Sequence, residues 1–150
     1  MKAVIQRVKY ATCTIDGAVS GQCGEGLMIL LGVMEGDTVA DADKLLKKVP
    51  YLRIFRDEND KMNRSCLDID GEMLVISQFT LAADCSHGRR PSFIAAAAPS
   101  EAIPLYEYFV QGLKDAGVKR VETGEFGADM QIELNNNGPV TIILDSKELK

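Results

Sequence analysis

The residues best suited to chemistry in this chain form the run Ser77-Gln78-Phe79-Thr80, which joins a predicted strand to a long loop. Two hydroxyls and a carboxamide lie together here, and backbone N–H groups are expected to be free where strand pairing stops. Residues at the rigid end of a strand can face a cleft, and such donors can bind an oxyanion. In the alternative, structural interpretation, Ser77 and Thr80 only satisfy backbone groups at the strand end.

The chain has a single histidine, His87, in the loop that follows this run. A Ser-His-Asp triad would require His87, together with Ser77 or Ser86 and an acid such as Asp84. Triads are defined by spatial arrangement, and this spacing does not identify one. We therefore expect a solvated loop histidine. A hydrolase without a histidine base must act on a labile substrate such as an activated ester, by holding water, carbonyl and a neighbouring hydroxyl in place.

Two arginines and an aromatic ring follow in Gly88-Arg89-Arg90-Pro91-Ser92-Phe93. Guanidinium groups beside an aromatic ring suit a phosphate or the end of a nucleotide chain. In the alternative interpretation, Arg89 and Arg90 belong to a solvated loop and pair with the acidic surface.

The dipeptide Gly138-Pro139 is the last candidate. Bonds before proline are the ones with an appreciable cis fraction, and a cis Gly–Pro in a turn would offer a ligand main-chain carbonyls in place of adaptable side chains. The alternative is an ordinary trans proline in a hairpin.

The composition bounds the class of protein. The 150 residues are 46% hydrophobic and 26% charged, which predicts one soluble domain over residues 1–150. Seventeen Lys and Arg against 22 Asp and Glu give a net charge of −5, which excludes a globally basic nucleic-acid binder but not a local basic patch. No apolar run approaches the roughly 20 residues of a spanning helix, and the N-terminus does not resemble a signal peptide. We expect a cytoplasmic protein without membrane contact.

The cysteines give no sign of a metal site. Cys13, Cys23, Cys66 and Cys85 form no Cys-x-x-Cys pair, and one histidine makes a zinc site improbable. We expect reduced cysteines, of which Cys85 in the polar loop is the most reactive.

Hydrophobic periodicity and turn residues predict the elements that must position these groups. One helix is expected after Asp37 as N-cap and up to Pro50, and a second over about 101–116, with its regular part starting near Ile103 because of Pro104. The predicted turns are Asp16-Gly17 and Asn135 to Pro139, the latter a tight turn between the last two strands. The predicted strands are Met1–Arg7 with a continuation or bend near Tyr10, Ala18–Cys23, Leu27–Met34, Glu72–Phe79, Lys119–Thr123, Met130–Leu134 and Val140–Leu144.

These elements indicate an α+β fold with a mostly antiparallel, barrel-like sheet and two main helices. Two helices can cover only part of such a sheet. A large apolar remainder on its surface would favour a homodimer.

Four segments together resemble the D-aminoacyl-tRNA deacylase family in order and spacing. They are Ser77-Gln78-Phe79-Thr80-Leu81, Gly88-Arg89-Arg90-Pro91-Ser92-Phe93, Gly124-Glu125-Phe126-Gly127-Ala128-Asp129-Met130 and Asn137-Gly138-Pro139-Val140-Thr141. The resemblance extends from Met1 to Ser146. It implies hydrolysis of the ester of D-aminoacyl-tRNA and of mischarged glycyl-tRNA, a proofreading step in translation that spares L-aminoacyl-tRNA. It also implies a cytoplasmic homodimer that needs no cofactor or metal.

The resemblance also implies residue roles. Ser77, Gln78, Phe79 and Thr80 would form the catalytic wall of the pocket, and Gly138 and Pro139 the family's Gly-cisPro element, inserted into the pocket of the other subunit. Arg7 would brace that element. Phe126 and Met130 would lie near the terminal adenosine, and Arg89 and Arg90 complete the substrate-binding set.

Two mechanisms remain open in this resemblance. Thr80 is a possible nucleophile, or the ribose 2′-OH helps to activate water while backbone N–H groups near Phe79 hold the oxyanion. We favour the second, because a threonine without a base is a poor nucleophile. Two rival functions are a hydrolase of small esters that uses Thr80 or Ser77, and a non-catalytic dimeric binding module for nucleotide or RNA ends.

The chain departs from the family pattern at two places. Cys85-Ser86-His87 stands where a threonine followed by basic residues is more usual, which lowers the positive charge beside the tRNA end. Asn136-Asn137 replaces Asn-Asp, and this change should leave the turn intact.

Overall fold

The computed structural model describes residues 1–150, and its largest feature is a six-stranded sheet that curls into a nearly closed barrel. The strands are β1 (Lys2–Ile15), β2 (Ala18–Cys23), β3 (Gly26–Gly32), β4 (Phe55–Arg56), β5 (Met62–Arg64), β6 (Glu72–Ser77), β7 (Val121–Thr123) and β8 (Gln131–Asp145). The helices are α1 (Val39–Leu46) and α2 (Pro99–Asp115), with short 3₁₀ turns at Val49–Tyr51, Phe79–Ala82 and Ser146–Glu148. This confirms the predicted α+β class.

Strand β1 organises the sheet because it pairs along both of its edges. One edge pairs antiparallel with β3 and then with β2, and the other edge pairs antiparallel with β8. Strands β3, β6 and β7 run parallel to one another, while β4 and β5 form a separate ribbon. The predicted hairpin at Asp16-Gly17 is confirmed, with positive φ angles of 49° and 80° at its two turn residues.

The barrel closes where β2 meets β7. A Cβ atom on Gly21 would collide with the backbone carbonyl of Thr123, so only glycine permits this approach. The Gln22 N–H donates to the Glu122 carboxylate over 2.9 Å across the same seam. The main core then lies between one face of the barrel and the two helices, and its fully buried side chains include Ile5, Ile29, Leu45, Met73, Phe109 and Leu113.

The first helix differs from prediction at both ends. Thr38, not Asp37, is the N-cap, and its backbone N–H donates to the Asp41 carboxylate over 2.9 Å. The Asp37 side chain is fully buried and instead forms an ion pair of 2.7 Å with the N-terminal ammonium of Met1. The α-helix ends at Leu46, and Pro50 lies in the following 3₁₀ turn, because Pro is well accommodated in the first turn of a short helix.

The second helix starts earlier than predicted. It begins at Pro99, which occupies the first helical position, so Pro104 lies inside the helix and removes one backbone donor there. Burial of Ala102, Tyr106 and Phe109 holds this turn against the core in spite of the lost hydrogen bond. Neither α-helix combines the length and the apolar composition needed to cross a membrane.

The last two predicted strands are a single strand, β8, and the turn predicted at Asn135 to Pro139 is wrong. Gln6 pairs with Thr141 and Val8 with Asn136, so a step of two residues on β1 faces a step of five on β8. The additional residues form a bulge, and the Gly138–Pro139 peptide within it is cis. The prediction failed because bulges and hairpins use the same turn residues; pairing with β1 on both sides of the bulge keeps the strand continuous.

Three further boundaries move. Strand β3 ends at Gly32 and not at Met34, because its pairing with β1 ends where Gly32 faces Lys2. Strand β6 ends at Ser77 and not at Phe79, since Phe79–Ala82 coil into a 3₁₀ turn directly after the sheet. Strand β7 begins at Val121 and not at Lys119, because pairing with β6 starts only there.

Candidate active site

A cavity of about 150 Å³ lies where β6 ends. Two separate segments form its wall, the residues that follow β6 and the connection from β7 to β8. The lining residues are Ser77, Gln78, Phe79, Phe126, Gly127, Ala128 and Met130. The fold thus brings together two of the four segments that the sequence singled out, although about 50 residues separate them.

The polar groups of this cavity are held by the sheet. The Gln78 N–H donates to the Leu31 carbonyl of β3 over 2.8 Å, which fixes the chain as it leaves β6. The Gln78 side-chain amide then donates to the Thr80 hydroxyl over 2.6 Å. No imidazole or carboxylate hydrogen-bonds to Thr80, so its hydroxyl has a positioning partner but no base.

Aromatic side chains shape the entrance and the floor. Phe79 is 54% exposed and packs edge-on against Phe93 with ring centroids 5.2 Å apart. Phe126 packs in a T-shape on Tyr106 at 6.4 Å, and the buried Tyr106 hydroxyl donates to the Val75 carbonyl of β6 over 2.7 Å. Burial raises the pKa of Tyr106, so its hydroxyl stays a donor. Phe126 is therefore packed against the core through Tyr106, whereas Phe79 packs on Phe93 of the following loop.

The loop after the cavity forms a closed hairpin-like tip. Asp84 and Ser92 exchange two backbone hydrogen bonds, of 2.8 and 2.9 Å, at its base. Arg89 and Arg90 are exposed on the tip, as the alternative interpretation of a solvated loop expects, but neither forms the ion pair with the acidic surface that this interpretation includes. His87 is exposed on the same tip, which agrees with the expected solvated histidine.

The Gly138–Pro139 bulge is exposed but anchored at its root. Arg7 is only 3% exposed, and its Nε donates to the Asn137 carbonyl over 2.8 Å while its Nη1 donates to the Ile54 carbonyl over 2.6 Å. Burial and the nearby Arg56 guanidinium lower the pKa of Arg7. Within one chain, Gly138, Pro139 and Arg7 do not line the cavity at the end of β6. Thr80, which was expected on its wall, does not line it either and is linked to it through the Gln78 side chain.

Sequence reasoning missed part of the cavity and its surroundings. Gly127 and Ala128 line the cavity, yet only their place in the Gly124–Met130 segment indicated them. A second, larger groove of about 720 Å³ runs between α2 and β7 and shares Phe126 with the cavity. No three His, Cys, Asp or Glu side chains lie close enough together to hold a metal ion.

The four cysteines are unpaired, and Cys13, Cys23 and Cys66 are buried while Cys85 is exposed. Burial raises the pKa of Cys23 to about 11 and that of Cys66 to about 12, so both thiols are protonated and unreactive at neutral pH. Three thiols are thus packed in the interior, and the accessible one is Cys85 in the polar loop.

Comparison with known proteins decides the family. The family described as D-Tyr-tRNA(Tyr) deacylase matches residues 4–145 of this chain. The chain belongs to this family. The resemblance predicted from four sequence segments is therefore confirmed over residues 4–145.

Individual relatives of the deacylase family agree. The D-aminoacyl-tRNA deacylase of Ruegeria pomeroyi is 57% identical over 145 residues, which are 97% of this chain and 99% of the relative. The D-aminoacyl-tRNA deacylase of Clostridium botulinum strain Eklund 17B is 53% identical over 148 residues, 99% of each chain. Among solved structures, the c-Myc DNA Unwinding Element Binding Protein superposes with a TM-score of 0.91 at 37% identity and covers 97% of this chain and 98% of its own.

Proposed function

We propose that this protein hydrolyses the ester bond of D-aminoacyl-tRNA and releases the free D-amino acid and tRNA, a proofreading step in translation. The observation that carries the proposal is the cavity at the end of β6, formed by two of the segments that mark the deacylase family to which the chain belongs. Its wall of hydroxyl, amide and aromatic groups suits a small polar ester next to a flat base.

The chemistry we propose is attack by water on the ester carbonyl, with the 2′-OH of the terminal ribose assisting. Backbone N–H groups near Phe79 stabilise the tetrahedral oxyanion, which collapses as the ribose 3′-oxygen leaves and takes up a proton. The hydrogen bond of 2.6 Å from Gln78 to Thr80 supports this route over a Thr80 nucleophile, because an amide N–H cannot accept the hydroxyl proton. Since an aminoacyl ester is labile, positioning suffices without a histidine.

We propose that the active site is completed by a second copy of the chain, with Gly138 and Pro139 of one subunit reaching into the cavity of the other. Both residues are exposed on a bulge that Arg7 anchors, and neither contacts the cavity of its own chain. Exposed apolar side chains beside the cavity and on β8, Phe79, Ile94 and Ile143, supply surface that such a dimer would cover.

This arrangement accounts for chiral selection. Main-chain carbonyls of Gly138 and Pro139 would hold the α-amino group of the substrate and leave no volume for an L side chain. Glycine has no side chain, so mischarged glycyl-tRNA would also be accepted. Selection by exclusion needs a rigid element, and the hydrogen bonds of Arg7 and of Asn136, whose side chain accepts from the Val140 N–H over 2.8 Å, supply it.

The remaining residues fit the 3′ end of tRNA. We propose that Phe126 and Met130 contact the terminal adenosine, since both line the cavity, and that Arg89 and Arg90 contact backbone phosphates from the loop tip. With few phosphate contacts, binding should depend only modestly on salt, in keeping with an acidic protein. We place the enzyme in the cytoplasm, where charged tRNA is used.

Deacylation of matched D- and L-tyrosyl-tRNA, measured with a chelator present, tests the proposal. We expect fast loss of the D ester and sparing of the L ester. Equal rates on both esters would refute chiral selection, and hydrolysis of simple esters regardless of the tRNA would favour the small-ester hydrolase. Binding of aminoacyl-tRNA without turnover would favour the non-catalytic binding module.

Thr80→Ala separates the two mechanisms. The variant should keep most of the deacylation rate if the 2′-OH and backbone N–H groups carry the reaction. Loss of nearly all turnover with substrate binding retained would instead assign the nucleophile to the Thr80 hydroxyl. Substrate ending in 2′-deoxyadenosine provides the matched complement and should be a poor substrate for both proteins.

Mixing two inactive variants tests the shared site. Gly138→Trp should disable the bulge and Ala128→Trp should fill the cavity. Since half of the dimers in an equal mixture are mixed and each contains one intact site, the mixture should recover about a quarter of the parental rate. If the bulge served its own chain, or the protein were a monomer, the mixture would stay inactive.

A further inference from the structure

A second polar cavity lies at the root of the Gly138–Pro139 bulge and is separate from the cavity at the end of β6. Its volume is about 170 Å³, room for about five or six water molecules. The lining residues are Arg7, Glu25, Phe55, Arg56, Ile69 and Asn137. Two arginines and one glutamate therefore line the same small space, which leaves an excess of positive charge.

Arg7 is the unusual member of this set. It is 97% buried, since only 3% of it is exposed, and yet no carboxylate lies within ion-pair distance of it. Two of its five N–H groups donate to the carbonyls of Asn137 and Ile54, which leaves three donors without a protein acceptor. A buried guanidinium normally has a counter-ion, because burying an unpaired charge is costly.

The surroundings of Arg7 increase the need for a negative partner. Burial and the positive charge of Arg56 both disfavour the charged form of Arg7 and lower its pKa, whereas Glu25 acts in the opposite direction without reaching it. Arg56 is itself held only by an exposed ion pair of 3.4 Å with Asp60, so its guanidinium can turn toward the cavity at little cost.

We propose that this cavity binds a tetrahedral oxyanion of the phosphate class between Arg7 and Arg56. Planar guanidinium groups present paired donors that match phosphate oxygens, and an anion here would supply the counter-ion that Arg7 lacks. The site shares no lining residue with the cavity at the end of β6. The ligand is either free inorganic phosphate or a backbone phosphate of RNA, since both present the same oxygens.

Titration with inorganic phosphate against chloride at equal ionic strength tests this site. The Nε–Hε signal of Arg7 in NMR spectra should shift with saturation in parent protein. Arg56→Gln should weaken the apparent Kd for phosphate about tenfold or more, the effect of removing one charged hydrogen-bonding partner. The matched control is Arg53→Gln, because Arg53 is exposed, donates to the Asn63 carbonyl and does not line the cavity.

A short single-stranded RNA ending in CCA distinguishes the two sources. If RNA supplies the phosphate, inorganic phosphate should compete with the RNA and Arg56→Gln should weaken RNA binding. If free phosphate is the ligand, RNA binding should be the same in Arg56→Gln and parent protein. The proposal is overturned if phosphate leaves the Arg7 signal unchanged, or if Arg56→Gln and Arg53→Gln respond to phosphate as the parent does.

Discussion

Replacing Arg7 by lysine tests whether the bulge must be braced. The Arg7 guanidinium spans two carbonyls, those of Asn137 at 2.8 Å and Ile54 at 2.6 Å, and an ammonium group cannot reach both. Hydrogen bonds that involve a charged group contribute about 1.5–3 kcal/mol each. With one of the two lost, Arg7→Lys should lower the free energy of unfolding by about 1.5–3 kcal/mol.

The effect on catalysis should exceed what this stability loss implies. Arg7 touches the chain directly before Gly138, and displacement of a positioning element by about 1 Å can reduce a rate about a hundredfold. We therefore expect Arg7→Lys, assayed while fully folded, to deacylate D-tyrosyl-tRNA about ten to a hundred times more slowly than the parent. Discrimination against L-tyrosyl-tRNA should also weaken.

Urea unfolding and single-turnover deacylation measure the two effects separately. Arg64→Lys is the control, because Arg64 also donates to a carbonyl, that of Asp68 at 3.0 Å, but lies at the surface. Its unfolding free energy should change by no more than about 0.5 kcal/mol. If Arg7→Lys matched Arg64→Lys in stability and retained the parental rate, the bracing argument would be wrong.

Three further substitutions test the fold by urea unfolding. Asp37→Asn breaks the fully buried ion pair with the N-terminal ammonium and should cost about 3–5 kcal/mol, whereas Asp60→Asn at the surface should change little. Burial acts to raise the pKa of Asp41, but hydrogen bonds from the Thr38 backbone N–H and the Ser146 hydroxyl outweigh it and lower the pKa below the ordinary 3.8. The Asp41 carboxylate therefore stabilises the folded state above pH 3.8, and this stabilisation is lost as the pH falls below that value. The difference in unfolding free energy between Asp41→Asn and the parent should accordingly close in acid. Gly21→Ala should cost about 1–3 kcal/mol or more by forcing the barrel seam apart, while Gly24→Ala meets only the end of a flexible side chain at 3.3 Å and should cost less.

The sequence predicted correctly those parts of the fold that depend on residues adjacent in the chain. Asp16-Gly17 requires two residues with positive φ, and few dipeptides other than Asp-Gly and Asn-Gly allow this, so the hairpin was predictable. The β8 bulge was not, because Asn137-Gly138-Pro139 has the composition of a turn and only pairing with β1 shows that the strand continues. Asp37 is of a residue type that favours the N-cap position, but in the structure it pairs with the N-terminal ammonium of Met1. Nothing in the sequence around Asp37 indicates this partner.

Only some residues of the candidate site could be predicted from the sequence. Chemistry-bearing residues of Ser77–Thr80 and Arg89–Arg90 stand out by residue type, whereas Gly127 and Ala128 line the cavity with backbone and a methyl group and have no chemical signature. The sequence also did not indicate that Arg7 is buried without a carboxylate partner. An arginine in a strand of alternating polar and apolar residues is ordinarily expected on the exposed face. Residues that act by shape or by burial require the structure.

The absence of a base beside Thr80 has a consequence for how substitutions should rank. In an enzyme that depends on an activated nucleophile, the largest losses follow removal of the reacting side chain. Here the only side-chain partner of the Thr80 hydroxyl is the Gln78 amide, and the groups assigned to the oxyanion and the α-amino group are backbone atoms that remain when a side chain is truncated. Catalysis must then be most sensitive to residues that hold backbone in place, so Arg7→Lys should reduce the deacylation rate more than Thr80→Ala. The reverse order, measured on the same D-tyrosyl-tRNA, would show that a side chain and not the backbone carries the reaction.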